Sequence, residues 1–493
     1  MLHAHIPWVR RAGRWPCGEE WLFEALLATY IPLLDVLDRL HARGIRQAIT
    51  LGITPVLIEM LQDPYLLREF DRYIDARLRL FEADIVRFTT EGVPALALAE
   101  RERENLLATR SRWVSTYGKD VVGAVRELAV RGDIEILTSA ATHAYLPLLG
   151  DDASIRAQLL TGLQTTSRAF DLVPAGIWLP ECAYHPRLLP ILERLNLRYF
   201  FSDSRAVKRS SDGTTLQPFT VGESSVAVFA RDEHASGQVW DNDLGYPGDE
   251  WYREFHKQDV RSGNRYWRVT DKKVDLAAKA LYEPARAAER VASHAGHFVQ
   301  SIKQRLGQAR DARLRHPYAV LTFDAELFGH WWAEGNAWLE KTLQMLHDDG
   351  NVRFISPSRY LASAPPQRPL ALIESSWGTG GDHTVWNNDG VAWMWEQIHR
   401  CERDFAQFLA FQPDCSGERV KQLTRELFLL QSSDWPFLVT KGQCAQYASE
   451  RFCTHVARFD ELVAGGPALA AFEADTLFED IPVHELGPRE EYV

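Results

Sequence analysis

Two carboxylates stand where chemistry is possible. Glu181 lies in Trp178-Leu-Pro-Glu-Cys-Ala-Tyr184, and Asp324 lies in Thr322-Phe-Asp-Ala-Glu-Leu-Phe-Gly-His-Trp-Trp332. Each follows a short apolar run that reads as a buried strand. Each has tryptophan and histidine close by. A carboxylate in such company is costly to desolvate unless it is used. Two of them suggest a two-carboxylate site, and indole beside carboxylate suggests a sugar, because indole faces stack on the C–H faces of pyranose rings.

The two acids differ in their surroundings. A nucleophile that attacks an anomeric carbon must be ionised, and hydrogen-bond donors hold a carboxylate in that state. A general acid needs a raised pKa, which apolar neighbours favour. This assigns Glu181 as nucleophile and Asp324 as acid/base. Residue chemistry alone leaves the reverse assignment open, and one of the pair could be a buried structural acid. Glu326, two positions from Asp324, is a rival for the acid.

His3 and His5 have a spacing that also suits metal ligands. A mononuclear metal hydrolase would need a compact Asp/His cluster, whereas these acids sit in aromatic settings. At least one of the histidines is read as a donor to a sugar hydroxyl or to the nucleophile in preference to a metal ligand, with a structural histidine as the alternative. Ser375-Ser-Trp-Gly-Thr-Gly-Gly-Asp-His-Thr-Val-Trp-Asn-Asn388 is rich in glycine but lacks the Lys-Ser/Thr of a phosphate loop. Trp377 and Trp386 fit stacking platforms for glucosyl units. Trp240, with Asn242, Tyr246 and Asp249, is a similar mixture. For each of these the bland alternative is core or interface packing.

The elements that must position these residues alternate in type. Strands are expected at 48–53, 134–137, 176–179 and 197–201, and again at 318–323 and 352–355. Helices are expected at 19–40, 64–90 and 99–130. Polar residues cluster where strands end, the pattern of a parallel α/β barrel. The stretch 205–248, rich in Ser, Thr, Gly and Asp, reads as an insertion on the active-site face. Ser363-Ala-Pro-Pro-Gln-Arg-Pro369 reads as a linker. Beyond it, 390–411, 417–432 and 443–463 have helical period.

Composition narrows the class. A chain of 493 residues forms more than one small core. Its net charge of -12 argues against nucleic acid and against an anionic membrane surface. Sixteen tryptophans favour carbohydrate. Cys17, Cys182, Cys401, Cys415, Cys444 and Cys453 show no CxxC spacing, so free thiols in a reducing cytoplasm are expected. No stretch reaches the length of a membrane span, and no leader is evident at the start.

Taken together, these motifs resemble glycoside hydrolase family 57, in its 1,4-α-glucan branching enzyme branch. The resemblance rests on His3-Ala-His-Ile-Pro7, Thr142-His143, the two carboxylate motifs, Ser375-Ser-Trp-Gly378, Gln238-Val-Trp240, Gly245-Tyr-Pro-Gly-Asp249 and Ser433-Asp-Trp-Pro-Phe437. It implies a (β/α)7 barrel at 1–362 with an inserted subdomain at about 186–255. A linker at 363–374 and a C-terminal helical domain at 375–493, which contributes to the cleft, would follow. It also implies a retaining mechanism with Glu181 as nucleophile and Asp324 as acid/base, their carboxyl groups about 5–5.5 Å apart. The glucan would pass to a 6-hydroxyl of another chain. Substrate contacts are expected from His3, His5, Trp21 and His143, from Trp240 and His330, and from Trp377, Trp386 and Asp434. A monomer acting on an α-glucan is the default.

Two departures from the family stand out. The chain begins at what should be the end of strand one, so the barrel is short of part of that strand or the true start lies upstream. The segment 205–233 contains no tyrosine, where the branching enzymes carry a long loop with a tyrosine lid. A missing lid would let water compete with the acceptor sugar. An α-amylase-like hydrolase on the same scaffold is therefore the alternative, and a non-catalytic α-glucan-binding protein the remote one.

Overall fold

The computed structural model describes residues 1–210, 214–241, 244–411, 417–465, 477–479 and 481. Short apolar runs form β1 (Leu2–Ala4), β2 (Ile49–Ile53), β3 (Ile134–Leu137), β4 (Gly176–Ile177) and β5 (Tyr199–Ser202). These are followed by β6 (Phe219–Val221), β7 (Ala227–Ala230), β8 (Phe323–Asp324) and β9 (Pro369–Leu370).

Parallel ladders run in the order β3-β2-β1-β8 and β4-β5-β7. Parallel bridges from Thr138 to Ile177 and from Arg231 to Val320 join the two pieces. With Leu2 opposite Phe323, the ring closes as seven parallel strands, β1-β2-β3-β4-β5-β7-β8. The expected (β/α)7 barrel is therefore present. β2, β5 and β7 are buried along their whole length, as parallel strands covered by helices must be.

Two details of the wall differ from the sequence reading. β5 and β7 lie inside the range 186–255 expected to be an inserted subdomain, because their apolar runs pair in register with the ring, Tyr199 opposite Ala227. Residues 352–355 form no strand. The ring has already closed β8 onto β1, so this run finds no ladder partner and packs Val352 and Phe354 against the core instead. The linker also acquires structure, since Val221 of β6 pairs with Leu370 of β9.

Helix signals were clear where caps are strong. Pro64–Glu91 starts at Asp63, whose carboxylate accepts from the N–H groups of Tyr65 and Leu66, and ends at Gly92 with φ 66°. The expected helix 19–40 is instead Glu19–Ala25, a π-turn at Leu26–Tyr30, and Ile31–Ala42. Pro32 is the reason: it has no N–H for the carbonyl of Ala28. That carbonyl accepts from Nδ2 of Asn336 at 3.1 Å.

The C-terminal helices Ala392–Phe411, Glu418–Leu430, Asp434–Lys441 and Ala445–Val463 dock on the loop face of the barrel. An antiparallel bridge from Ala144 to Ser432 ties them to the loop after β3, and one from Tyr184 to Ser375 ties the segment that precedes them to the turn after β4. Cys17 and Cys444 form a disulfide across 427 positions. This corrects the expectation that the cysteines are free thiols; a pairing at that separation leaves no spacing signal. Cys182, Cys401 and Cys453 are free, and Cys415 lies outside the described residues. No helix among the described residues is long and apolar enough to cross a membrane.

Candidate active site

The C-terminal ends of the wall strands converge on a cavity of about 690 Å³. β1 contributes His3 and, just past its end, His5. Residues two apart on a strand share a face, and both rings line the cavity. The loop after β3 supplies His143 and the turn after β4 supplies Glu181. Arg231 follows β7, and Asp324 ends β8 with Glu326 beyond it. Trp21, Trp240, His330, Trp377, Trp386 and Asp434 line the same cavity. The structure thus brings these residues, the two carboxylates and the expected substrate contacts, together in one cavity.

Backbone strain marks these turns. Glu181 has φ 62°, Cys182 φ 50° and His143 φ 57°, left-handed conformations that cost a residue with a Cβ roughly 1–2 kcal/mol. Such strain persists where the surroundings over-determine it. Here Tyr184 and Ser375 exchange backbone hydrogen bonds at 2.8 and 3.2 Å, and the Glu181 carbonyl accepts from the N–H of Trp377 at 3.0 Å.

The Glu181 carboxylate is supplied with donors. Oε2 accepts from Nε1 of Trp377 at 2.8 Å, and Oε1 accepts from Oγ of Ser433 at 3.0 Å. Burial pushes its pKa up to about 7, with Asp434 adding to the rise while the two donors oppose it. Asp324 is driven further. Burial first, then the charges of Glu326 and Glu181, hold it well above the usual carboxyl range, and Arg231 opposes them. Arg231 is itself fixed by Asp203 at 2.5 Å. Of the two acids, Asp324 has burial and two like charges favouring its neutral form, whereas Glu181 has two donors that favour its ionised form.

Glu326, the rival acid, is engaged elsewhere. It accepts the hydroxyl of Tyr30, which the π-turn carries, and the N–H of His5 at 3.1 Å. It is only 4% exposed. Its position is that of a brace on the end of β1.

Three imidazoles lie with nearly parallel ring planes. The ring centroid of His143 lies 5.0 Å from that of His3 and 4.0 Å from that of His5. His3 also stacks on Trp178 at 4.8 Å. Nε2 of His5 contacts Asp434 Oδ2 at 3.0 Å, and its Nδ1 contacts Oγ1 of Thr54 at 3.0 Å. Burial would lower the pKa of His5, but Asp434, Glu181 and Glu326 raise it overall. Burial and the neighbouring imidazoles hold His3 and His143 well below the usual range. The charge in this cluster therefore belongs on His5. No set of three or more histidine, cysteine or acidic side chains among the described residues is arranged to hold a metal ion.

The aromatic residues divide into functional and packing positions. Trp377 meets Trp178 and Trp240 edge-on, at 5.0 and 6.5 Å. Nε1 of Trp240 donates to the Thr322 carbonyl at 3.2 Å. Trp386 stacks against Tyr145 and Phe437 and is 1% exposed, so it builds the wall and offers no open stacking face. Trp331, 44% exposed, is the open indole of the lining. Burial lowers the pKa of His330 to about 4 beside Glu24, whose Oε2 is 3.4 Å away. Trp21 packs edge-on against Tyr447. Tyr246 and Asp249 turn away into the shell, where Tyr246 stacks on His294 and Asp249 pairs with Arg290. Asn242 lies outside the described residues.

Sequence reasoning missed Ser433, Arg231 and Thr54 as individual site residues. Ser433 adjoins Asp434 in a block already singled out. Arg231 is the first polar residue after an apolar strand run. Thr54 follows β2 in the same way, and together they repeat the strand-end signal that found Asp324.

Comparison with known proteins agrees with this geometry. The family description "Glycosyl hydrolase family 57" matches residues 1–372, and "1,4-alpha-glucan branching enzyme, C-terminal" matches residues 397–471. The chain is 39% identical to a 1,4-alpha-glucan branching enzyme from Thermococcus kodakarensis, covering 94% of this chain and 72% of that protein. The crystal structure of that GH57 branching enzyme, in complex with glucose and additives, superposes with a TM-score of 0.94 at 37% identity, covering 100% of this chain and 97% of the other. A GH57-type branching enzyme from Pyrococcus horikoshii superposes with a TM-score of 0.91 at 37% identity, covering 99% and 96%. The alpha-amylase AmyC from Thermotoga maritima superposes with a TM-score of 0.87 at 30% identity, covering 98% of each. With residues 1–372 matched and relatives this similar along nearly its whole length, the chain belongs to glycosyl hydrolase family 57.

Proposed function

We propose that this protein is a 1,4-α-glucan branching enzyme that works by a retaining mechanism. The observation that carries the reading is the unequal carboxylate pair: Glu181 with two donors on its oxygens, and Asp324 buried in the same cavity, where burial and the charges of Glu326 and Glu181 raise its pKa. The relatives named as branching enzymes, and the match to their C-terminal region, support the transferase outcome.

The chemistry follows from the pair. Glu181 attacks C1 of an α-1,4-linked glucosyl unit while Asp324 gives its proton to the departing O4. The C1–O4 bond breaks and a C1–carboxylate bond forms. Asp324, now ionised, takes the proton from the 6-hydroxyl of a second chain, whose oxygen displaces Glu181 and forms the α-1,6 bond. Proton and electron pair both balance within the two carboxyls and the two sugars, so the cycle calls for no cofactor. His5 and Asp434, together with the open indole of Trp331, are the contacts assigned to substrate. The barrel at 1–362 and the helical part at 375–493 would form the two sides of the cleft, in a monomeric cytoplasmic enzyme.

Incubation with amylose tests this. New α-1,6 linkages, seen by proton NMR and by debranching, without a matching rise in reducing ends, are expected. Reducing sugar without branches would establish the hydrolase instead.

A further inference from the structure

The hydrogen bonds that end on Glu181 form a chain whose direction can be worked out. Oγ of Ser433 lies 3.0 Å from Glu181 Oε1 and 2.9 Å from Nδ1 of His143. Nε2 of His143 lies 3.1 Å from Nε2 of His3. A hydroxyl has one hydrogen, and a neutral imidazole has one N–H. When Glu181 is ionised it accepts, so the Ser433 hydrogen points to it. Ser433 must then accept from Nδ1–H of His143. Nε2 of His143 is left as the acceptor, and Nε2–H of His3 donates to it. Nδ1 of His3 carries no hydrogen.

That last atom decides the direction. Nδ1 of His3 is buried and has no hydrogen-bond partner. If Glu181 were protonated on Oε1 and the chain reversed, each link would flip and His3 would have to carry its hydrogen on Nδ1. This would strand a buried N–H, which is rarer and costlier than a bare acceptor. The far end of the chain therefore favours the direction in which Glu181 is ionised. Ser433 is also fixed from behind, since its own N–H donates to the His143 carbonyl at 3.1 Å.

We propose that Ser433 is a positioning residue for the nucleophile. It is the last link of a directed chain, His3 to His143 to Ser433 to Glu181, that keeps Oε1 ionised and aimed. The proposal rests on the reading of Glu181 as nucleophile. It assigns the C-terminal part a role inside the first chemical step, through a residue two helices removed from the barrel. Other ionisable groups face Glu181 as well: Asp434, His5, Asp324, Tyr145 and Cys182. All of them stay in place when only the Ser433 hydroxyl is removed.

The test compares pH profiles of kcat/KM on a soluble malto-oligosaccharide. Ser433→Ala should move the acid limb up by about one pH unit and leave the alkaline limb where it is. Ser433→Thr, which keeps a hydroxyl, should bring the acid limb back. An acid limb in Ser433→Ala that superposes on that of the unaltered enzyme overturns the proposal. A second measurement needs no variant to fold: nitrogen NMR of ring-labelled histidine in the unaltered chain at pH 8. It should find the His143 proton on Nδ1 and the His3 proton on Nε2, and the opposite tautomers overturn the chain. Glu181→Gln separates the two readings. Retained turnover in it removes the nucleophile and this proposal together, whereas loss of turnover with an unmoved Ser433→Ala profile removes the proposal alone.

Discussion

Trp377 holds Glu181 at both ends. Its indole Nε1 donates to Oε2 at 2.8 Å, and its backbone N–H donates to the Glu181 carbonyl at 3.0 Å. The backbone bond fixes the left-handed turn and the indole fixes the carboxylate. Trp377→Phe separates them, because it keeps a ring against Trp178 and Trp240 and loses only the N–H. The hydrogen bond to a charged group is worth a fall in kcat of about 10- to 100-fold, with KM and melting temperature little changed. A variant with unaltered kcat would show that the indole only packs.

Asp434 sets the charge of His5. Burial lowers the pKa of His5, and Asp434 is the largest of the groups that raise it. In Asp434→Asn the burial remains while that counter-charge is gone. His5 should then titrate below its usual value instead of above it. Histidine NMR across pH 5 to 8 reads this directly, and kcat/KM near neutral pH should fall with it. A His5 titration unmoved by the change would mean that Glu181 and Glu326 supply the charge by themselves.

Cys17–Cys444 ties the loop before Glu19–Ala25 to the start of Ala445–Val463, and Cys444 lines the cavity. Closing a loop of 427 residues restricts the unfolded chain strongly; disulfides of this kind are worth about 2–5 kcal/mol. Cys17→Ser should lower the melting temperature, and a reductant should lower that of the unaltered chain by the same amount. Non-reducing peptide mapping should recover the two cysteines joined. Equal melting curves with and without reductant would rule the link out as a stabilising one.

What the sequence could reveal was set by how local the signal is. Glu181 and Asp324 were legible because each is the polar end of an apolar run, and the barrel puts such ends at one face. His3, His5 and His143 followed the same rule. The direction of the two carboxyl roles was suggested by neighbours, and the donors that make it physical come from 196 and 252 positions away. No periodicity reports a pairing at that distance. The same holds for Cys17 with Cys444. Trp386 was misjudged as an open platform because a glycine-rich loop looks exposed in sequence, whereas here it seats the indole against Tyr145. The π-turn at Leu26–Tyr30 escaped notice because Pro32 still fits helical period; only the Asn336 contact shows where the freed carbonyl goes.

The two acids predict a bell-shaped rate profile with assigned limbs. The pKa of Glu181 is raised to about 7, so as pH falls through that value it gains a proton and can no longer attack. Asp324 is raised well above its usual range, so as pH rises past its own pKa it loses the proton that the leaving oxygen needs. The charge of Glu181 is one of the causes that raise Asp324, so the alkaline limb depends on an ionised Glu181. Asp324→Asn makes the sharper test. On amylose, loss of the general acid should cost about 10²- to 10⁴-fold in kcat and erase the alkaline limb. The acid limb should stay near 7, since a general acid at Asp324 is still protonated, and so uncharged, where Glu181 titrates. A maltosyl fluoride donor needs no proton to depart, so its first step should recover in the variant, and a glycosyl ester on Glu181 should accumulate and be visible by intact mass. Equal loss on amylose and on the fluoride would show that Asp324 does not deliver the proton, and would pass that role to another acid in the cavity.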